Sequence, residues 1–261
     1  MTGAVAAWSV VGLIPARSGS KRIPSKNVRM LAGHPLLAYS IASAIESGVF
    51  AKVIVSTDAS EIADIARHYG AEVPALRPAN MAGDLSPDIE WVKHAVANVR
   101  DSGLSPDAVA ILRPTSPLRG AGTIRRAVAE LAADSEADSL RAVERCTQHP
   151  GKMWVVDGER MRPLLDDGAS DPPWHSRPYQ ALPVVHVQNA SLEVARARAL
   201  DQHGSIAGAV IRPFHAPGHE GFDLNQEGDW IVLEDLIRSG GAMLPTVHVS
   251  PYNGALSASS A

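Results

Sequence analysis

The sequence VVGLI at residues 10–14 runs directly into PARSGSKRIPSKN at residues 15–27. The first part is short, apolar and uncharged, which is typical of a strand buried in a parallel sheet. The second part carries four basic residues, Arg17, Lys21, Arg22 and Lys26. The Ser-Gly-Ser step at residues 18–20 lets the backbone turn tightly and point several N–H groups at one place. This stretch therefore predicts a strand that ends in a basic, anion-binding loop.

Such a loop suits a polyphosphate, because backbone donors and fixed cations share its negative charge. Gly19 is followed by Ser-Lys rather than by Gly-Lys-Ser/Thr, so the loop is not a Walker-type P-loop. It also lacks the G-x-G-x-x-G spacing of dinucleotide-binding folds. A solvated basic loop without a ligand is the alternative interpretation.

The composition limits the class of protein. The chain has 261 residues, 45% of them hydrophobic, which is enough for one large α/β core or one core plus an excursion. Its net charge of −4 gives no overall basic field for nucleic acid. The single cysteine, Cys146, excludes an intramolecular disulfide framework and fits a reducing compartment. No segment could span a membrane, so we expect a cytoplasmic protein that binds neither nucleic acid nor membrane.

Strands and helices alternate along much of the chain. We predict strands at residues 9–14, 52–56, 72–75, 108–112, 138–143, 184–187 and 207–211. Apolar residues recur at helical spacing after Pro35, before Gly70, after Pro87 and from Ile124, and a last helix carries Trp230. This alternation predicts a doubly wound, mostly parallel α/β sheet with its site at the carboxyl ends of the strands.

The loop sequence LIPARSGSKRIPSKN resembles the N-terminal signature of the acylneuraminate cytidylyltransferases, the CMP-sialic acid synthetases and their relatives. RPTSPLR at residues 113–119 and GFDLNQEGDW at residues 221–230 resemble two further motifs of that family. The resemblance implies a Rossmann-like nucleotidyltransferase that transfers CMP from CTP to the anomeric hydroxyl of an acidic 2-keto-3-deoxy sugar and releases pyrophosphate. A related transferase with another nucleotide or acceptor, and a non-catalytic nucleotide-binding protein, are the alternatives.

The resemblance also implies which residues bind CTP. It makes Arg17, Lys21 and Lys26 the cations that contact the triphosphate, with Arg17 and Lys26 also catalytic. The nucleotide-binding residues predicted in this way are Ala16, Arg17, Ser18, Gly19, Ser20, Lys21, Lys26, Asp84 and Asp88. Asp84 and Asp88 lie in LRPANMAGDLSPD at residues 76–88, where a helix cap is the alternative role for each.

Further residues are assigned by the same resemblance to the acceptor and to a metal ion. The predicted substrate-binding residues are Arg113, Thr115, Ser116, Gln180, Gln188 and Asn189. Arg119 is expected either to shape the pocket or to form a structural ion pair. The predicted cofactor is Mg²⁺, held by Asp223, which is also assigned a catalytic role, and by Asn225. Many relatives have a second aspartate at position 225, so a second metal is left open, and a helix cap is the alternative for Asp223.

The sugar end departs from the family pattern. Many sialic acid synthetases have R-P-N-G where residues 187–190 read VQNA, and an arginine where Tyr179 stands. A sialic acid carboxylate needs a fixed cation, ideally arginine. The resemblance therefore leaves the acceptor open between N-acetylneuraminate and another 2-keto-3-deoxy sugar acid.

Residues 144–184 interrupt the α/β pattern with six prolines and no helical periodicity. The family inserts a dimerisation arm at this place, so the resemblance implies an arm and a homodimer; a surface excursion is the alternative. Within this segment the Asp157-Gly158 step predicts a hairpin. The predicted organisation is a leader over residues 1–8, a nucleotidyltransferase domain over 9–238 with the arm inserted, and a tail over 239–261 that frays at its end.

Overall fold

The computed structural model describes residues 8–165, 168 and 170–254. The strands within these residues are β1 (Val10–Pro15), β2 (Met30–Leu31), β3 (His34–Pro35), β4 (Phe50–Ser56), β5 (Ala108–Ile111), β6 (Ser139–Arg145), β7 (Trp154–Asp157), β8 (Arg160–Pro163), β9 (His186–Arg196) and β10 (Ile211–His215). The α-helices are α1 (Leu36–Ser47), α2 (Ser60–His68), α3 (Asp88–Asp101), α4 (Ala121–Ala133), α5 (Ala197–His203) and α6 (Glu227–Arg238). Residues 1–7 of the predicted leader (1–8) and residues 255–261 at the end of the predicted tail lie outside the described part of the chain.

The central sheet is built from strands in the order β10-β6-β9-β5-β1-β4. β1 pairs in parallel with both β4 and β5, whereas β9 runs antiparallel to β5. The short strands form two separate hairpins, β2 with β3 and β7 with β8. The chain thus has the predicted α/β fold with a mostly parallel central sheet.

Strand β1 shows why residues 10–14 are apolar throughout. Successive side chains of a strand point to opposite faces of the sheet. Val10 and Ile14 belong to a core formed with α1, α2 and α4, whereas Val11 and Leu13 belong to a core formed with α3 and α5. Because helices cover both faces, no position on this strand is left for a polar side chain.

Two predicted strands are wrong. Of residues 72–75, only Glu72 pairs, in a single bridge with Ile54, and Pro74 has no N–H with which to continue the ladder. Residues 207–210 form a turn instead of a strand. In that turn the amides of Ala209 and Val210 donate to the Asp138 carboxylate at 2.8 and 3.1 Å, and β10 begins only afterwards.

Strand β9 is much longer than the strand predicted at residues 184–187, and α5 was not predicted. The middle of β9 is buried although it contains Asn189, Ser191 and Glu193. Asn189 and Ser191 bond each other within the strand, the Ser191 carbonyl accepts from Arg119, and two arginines bond the Glu193 carboxylate. Residues 191–194 alternate between polar and apolar, but both sets are buried, so the pattern does not separate an exposed face from a buried one. Helix α5, which follows β9, spans only about two turns, which is too short for a clear helical period.

The contacts divide the chain into two compact units, one of residues 1–142 with 189–261 and one of residues 143–188. The second unit covers the segment predicted to be an arm. It contains the predicted hairpin, β7 and β8, whose turn includes Gly158 with a φ of 57°. The described residues of this unit contain no α-helix. Its role in dimerisation stays a prediction.

Helix α6 brings the motif at residues 221–230 close to the basic loop after β1. Trp230 and Leu233 of α6 pack in one cluster with Ile23 of the loop and with Leu36 at the start of α1. After α6 the chain returns to the core, where Tyr252 is packed. Within the described residues, no helix is both long enough and apolar enough to cross a membrane.

Candidate active site

A cleft of about 350 Å³ lies where the loop after β1 meets the turn after β5. Of the residues that the structure describes, six basic side chains and two carboxylates line this cleft, although the whole chain has a net charge of −4. This local excess of positive charge suits a polyanionic ligand. The predicted site residues that line it are Arg17, Ser20, Lys21, Lys26, Asp88, Arg113, Thr115, Asp223 and Asn225.

The loop after β1 is held in shape by contacts with the protein. The buried side chain of Asn27 donates to the Arg17 carbonyl at 3.0 Å. Ser18 binds Asp58 through its backbone N–H at 2.8 Å and through its hydroxyl at 2.7 Å. Ser18 therefore contacts Asp58 and does not line the cleft. The predicted residues Ala16 and Gly19 also lie outside the lining of the cleft.

Two of the loop cations share one carboxylate. Asp84 contacts the Arg17 guanidinium at 2.7 Å and the Lys21 amine at 2.5 Å. Hydrogen bonds from Lys21 and Arg17 lower the pKa of Asp84. Asp84 caps no helix, because the N-cap of α3 is Pro87. Asp84 is therefore an acidic partner of two cations that were predicted to hold phosphate.

Lys26 connects the loop to the segment before α6. Its Nζ donates to the Leu224 carbonyl at 2.9 Å, and the Leu224 amide in turn donates to the Thr115 carbonyl at 2.9 Å. Burial lowers the pKa of the Lys26 amine, while the neighbouring Asp223 carboxylate opposes that shift. These contacts bring predicted residues from three distant parts of the chain to one end of the sheet.

Asp223 has one carboxylate oxygen that fits a metal ligand. Its Oδ2 accepts a hydrogen bond from Asn225 Nδ2 at 2.9 Å, whereas Oδ1 is buried and has no hydrogen-bond partner in the described part of the chain. A buried carboxylate oxygen without a donor is unusual, and Mg²⁺ prefers such oxygen ligands. Asn225 fits less well, because its Oδ1 already accepts from Arg22 at 3.2 Å.

Within the described residues, no group of three or more acidic, histidine or cysteine side chains could hold a metal ion. Mg²⁺ is commonly bound through one or two carboxylates together with substrate phosphates and water. Asp223 could therefore hold a metal ion together with substrate phosphates, with Asn225 beside it, and the two residues do not form a complete protein cage.

A helix cap is not the role of Asp223. Helix α6 has Gln226 as its N-cap, and the Asp229 carboxylate accepts from the amides of Asn225 and Gln226 at 2.7 and 2.9 Å. Gln226 and Asp229 complete a capping box between them. The helix-cap alternative for Asp223 is therefore wrong.

On another wall of the cleft, Arg113 binds two carboxylates. Its Nη2 contacts Asp88 Oδ2 and Glu193 Oε1, each at 2.8 Å. Asp88 Oδ1 accepts from Trp91 Nε1 at 2.8 Å. Burial opposes ionisation of Asp88, but Arg113 and Trp91 outweigh it and lower the pKa of that carboxyl group. Asp88 is thus an ionised partner of Arg113, and it is not the N-cap of α3.

Of the predicted substrate residues in the first unit, two lie outside the lining of the cleft. Ser116 and Asn189 are both buried, and the Asn189 side chain accepts from the amide and the hydroxyl of Ser191 at 3.2 and 2.6 Å. Gln180 and Gln188 are exposed and belong to the second unit, over residues 143–188. Ser116 and Asn189 therefore do not line the cleft, and the substrate role of all four residues stays a prediction.

Arg119 is fully buried and is not a ligand contact. It donates to the carbonyls of Arg113, at 3.2 Å, and of Ser191, and to the Ser40 hydroxyl at 2.9 Å. Burial lowers the pKa of Arg119 to about 9. Among the described residues it has no carboxylate partner, so the ion-pair alternative is wrong, and it supports the turn after β5 through neutral oxygen atoms.

Arg77 is the main cleft residue that sequence analysis missed. It is buried, donates to the Ser56 hydroxyl at 3.0 Å and carbonyl at 2.9 Å, and lies 5.0 Å from the centre of the Trp91 ring. Burial lowers the pKa of Arg77 to about 10. The only signal in the sequence was a cation beside Pro78, since its partners Ser56 and Trp91 are distant along the chain.

An α/β sheet with a cationic cleft at the carboxyl ends of its strands suits a nucleotide-binding protein, and comparison with known proteins gives its class, a nucleotidyltransferase. The sequence model of one family, described as Cytidylyltransferase, matches residues 11–152, which is more than half of the chain. The chain belongs to the cytidylyltransferase family, and the resemblance noted in the sequence is confirmed.

Individual relatives agree with this assignment. The CMP-N,N'-diacetyllegionaminic acid synthase of Legionella pneumophila is 32% identical over 237 residues, which cover 87% of this chain and 96% of that protein. The N-acylneuraminate cytidylyltransferase of Escherichia coli is 44% identical over 119 residues, 46% of this chain and 27% of that protein. A solved CMP:2-keto-3-deoxy-manno-octonic acid synthetase complexed with CTP has a TM-score of 0.64 and 14% identity, over 89% of this chain and 99% of that one, which is a likeness of fold.

Proposed function

We propose that this protein transfers a cytidylyl group from CTP to a hydroxyl group of an acidic sugar of the nonulosonic or sialic type. The observation that carries the proposal is the cationic cleft, in which the basic loop after β1 meets Asp223. Membership of the cytidylyltransferase family and the substrates named for its relatives, a diacetyllegionaminic acid and an N-acylneuraminic acid, support the nucleotide and the class of acceptor.

In this reaction the acceptor oxygen forms a bond to the α-phosphorus of CTP, the bond from that phosphorus to the bridging oxygen breaks, and pyrophosphate leaves while the hydroxyl proton is released. No covalent intermediate with the protein is required. The protein must hold the two reactants in line and balance the charge that moves onto the leaving group. Arg17, Lys21 and Lys26 are the groups proposed to balance that charge.

The ion pair of Arg17 and Lys21 with Asp84 does not argue against this role. Asp84 is partly exposed, and its two partners lie at the cleft. A triphosphate carries more negative charge than a single carboxylate, so it competes well for the two cations. Lys26, which donates to a neutral carbonyl, can bind phosphate without displacing a carboxylate.

Mg²⁺ is proposed as the cofactor. When bound, it would neutralise charge on the triphosphate, and Asp223 Oδ1 with Asn225 beside it would hold it. The protein groups that surround this position, Lys26 and Arg22, supply further positive charge to the same phosphates.

The proposal is tested by the release of pyrophosphate from CTP, ATP, GTP or UTP, with Mg²⁺ and each of three acids, namely N,N'-diacetyllegionaminic acid, N-acetylneuraminic acid and 2-keto-3-deoxy-manno-octonic acid. We expect release only with CTP and at least one acid, and none when the acid is omitted. Turnover with another nucleotide would favour a different nucleotidyltransferase. CTP binding without turnover on any acid would contradict the proposed activity.

A further inference from the structure

A buried carboxylate on β9 connects the cleft to the interior of the sheet. Glu193 is 3% exposed, and each of its oxygens is bonded by a different arginine. Oε1 lies 2.8 Å from Arg113 Nη2, and Oε2 lies 3.1 Å from Arg141 Nη2. A carboxylate removed from water in this way is tolerated only when cations and donors surround it.

The strand pairing explains this placement. β9 runs antiparallel to β5 with Glu193 opposite Ile111, so Glu193 lies two residues before the level of Arg113, where β5 has ended. β6, which carries Arg141, is the neighbour of β9 on its other side. Glu193 therefore lies between two arginines, Arg113 from the turn after β5 and Arg141 from β6.

Arg113 is held at both its backbone and its side chain. Its carbonyl accepts hydrogen bonds from Arg119 Nη1 at 3.2 Å, from the Ser116 amide at 3.2 Å and from the Ser40 hydroxyl at 3.4 Å. Both carboxylate partners, Asp88 and Glu193, bond Nη2 of its guanidinium. No described residue accepts a hydrogen bond from Nη1 or Nε, and Arg113 lines the cleft.

The two carboxylates on Arg113 differ in their exposure to solvent. The Asp88 side chain is 44% exposed and the Glu193 side chain 3%. Asp88 can exchange partners with a ligand at little desolvation cost, whereas Glu193 cannot leave its arginines without an uncompensated buried charge. The fixed orientation of Arg113 therefore depends on Glu193.

We propose that Glu193 is a positioning residue that orients Arg113 so that its Nη1 group binds the carboxylate of the acid acceptor. The proposal rests on the proposed function. Asp88 and Glu193 occupy Nη2, which leaves Nη1 to face the acid. The N–H groups of Nη1 keep a fixed direction only while the plane of the guanidinium is fixed. The triphosphate has cations of its own in the loop after β1, whereas Arg113 comes from the turn after β5, beside Thr115 and Ala190 of the cleft.

A purely structural ion pair is the competing explanation, and Asp138 offers a matched control. Asp138 is 6% exposed, accepts from Arg198 at 2.7 Å, and lies just before β6 among residues that do not line the cleft. Asp138→Asn and Glu193→Gln each remove one buried negative charge paired with arginine. Their effects on stability are expected to be alike, so any difference in acceptor binding reports on positioning.

The experiment measures the KM of the acid and of CTP, kcat and Tm for wild type, Glu193→Gln and Asp138→Asn, with N,N'-diacetyllegionaminic acid as the first acid tested and the other two acids following. We expect Glu193→Gln to raise the acid KM by roughly 30-fold or more, as truncation of a buried charge pair does, and to change the CTP KM by less than about threefold. Asp138→Asn should leave both KM values within about threefold of wild type.

A second comparison keeps the test decisive if Glu193→Gln does not fold. Arg113→Lys retains the charge beside Glu193 but loses the separate Nη1 donor of the planar guanidinium, so it should raise the acid KM and leave the CTP KM nearly unchanged. Wild type should also discriminate strongly against the methyl ester of the acid. An acid KM within threefold of wild type in the folded Glu193→Gln or Arg113→Lys variant, or a rise confined to CTP, overturns the proposal. Absence of turnover by wild type with every acid overturns the proposed function, and this inference with it.

Discussion

The substitution Asp223→Asn separates a metal ligand from a structural residue. The amide has the same shape as the carboxylate but lacks its charge. Asp223 Oδ2 accepts a hydrogen bond from Asn225 Nδ2 at 2.9 Å, at an exposed position. Its loss should change the free energy of unfolding by less than about 1 kcal/mol, a shift in Tm of no more than ~2–4 °C for a chain of this length.

The expected effect on activity is far larger. If Oδ1 binds Mg²⁺ on the triphosphate, the variant loses a charge that acts on the transition state, and losses of this kind are about 10²–10³-fold in kcat. That ratio corresponds to ~3–4 kcal/mol. CTP binding should weaken mainly when Mg²⁺ is present. The predicted result is therefore a protein of nearly normal stability whose turnover no longer responds normally to Mg²⁺.

The assay is turnover against Mg²⁺ concentration, together with thermal unfolding, for wild type, Asp223→Asn and the control Asp229→Ala. Asp229 lies six residues away and accepts from two amides at the start of α6. Its removal should lower stability by about 1 kcal/mol, the usual effect of a lost cap, and keep the wild-type response to Mg²⁺. If Asp223→Asn keeps the wild-type Mg²⁺ dependence, the metal assignment is refuted.

Three further predictions concern the loop, the turn before β10 and the arm. Lys26→Ala should reduce kcat/KM for CTP by the equivalent of roughly 2–4 kcal/mol, and an unchanged value would contradict its phosphate role. Gly208→Ala should lower Tm by several degrees, because the new Cβ would lie 2.3 Å from the Asp138 Cβ at a φ of 69°; an unchanged melting curve would refute this clash. Replacing residues 144–184 by a Gly/Ser linker should yield a monomer, measured by light scattering, with little activity. If the intact protein is already a monomer by light scattering, the dimer hypothesis is wrong.

The loop and the family were predictable because their signals are local. Residues 13–27 follow one another in the chain, so the cations, the small residues and the preceding apolar strand are all visible in one stretch of sequence. Helical spacing likewise predicted α1 to α4 and α6, since the apolar residues of an amphipathic face all lie within one segment of the sequence. The hairpin turn at Asp157-Gly158 was also predictable from a local signal, because a tight hairpin turn depends on two adjacent residues.

The partners of the charged residues were not predictable in this way. Asp84 and Asp88 could be named as site candidates, but nothing local shows that one binds Arg17 and Lys21 while the other binds Arg113. The burial of Arg77 against Ser56 and Trp91 depends on packing between separate elements. Ion pairs and stacking contacts have no periodicity, so a sequence pattern cannot reveal them.

The sequence by itself determined the strand-loop unit at residues 10–27, the α/β class and the membership of the cytidylyltransferase family. Only the tertiary structure decided that β9 lies antiparallel beside β5 and inserts Glu193 between Arg113 and Arg141. The physical reason is that local propensity acts over a few neighbouring residues, whereas a buried charge is stable only beside partners that distant strands supply.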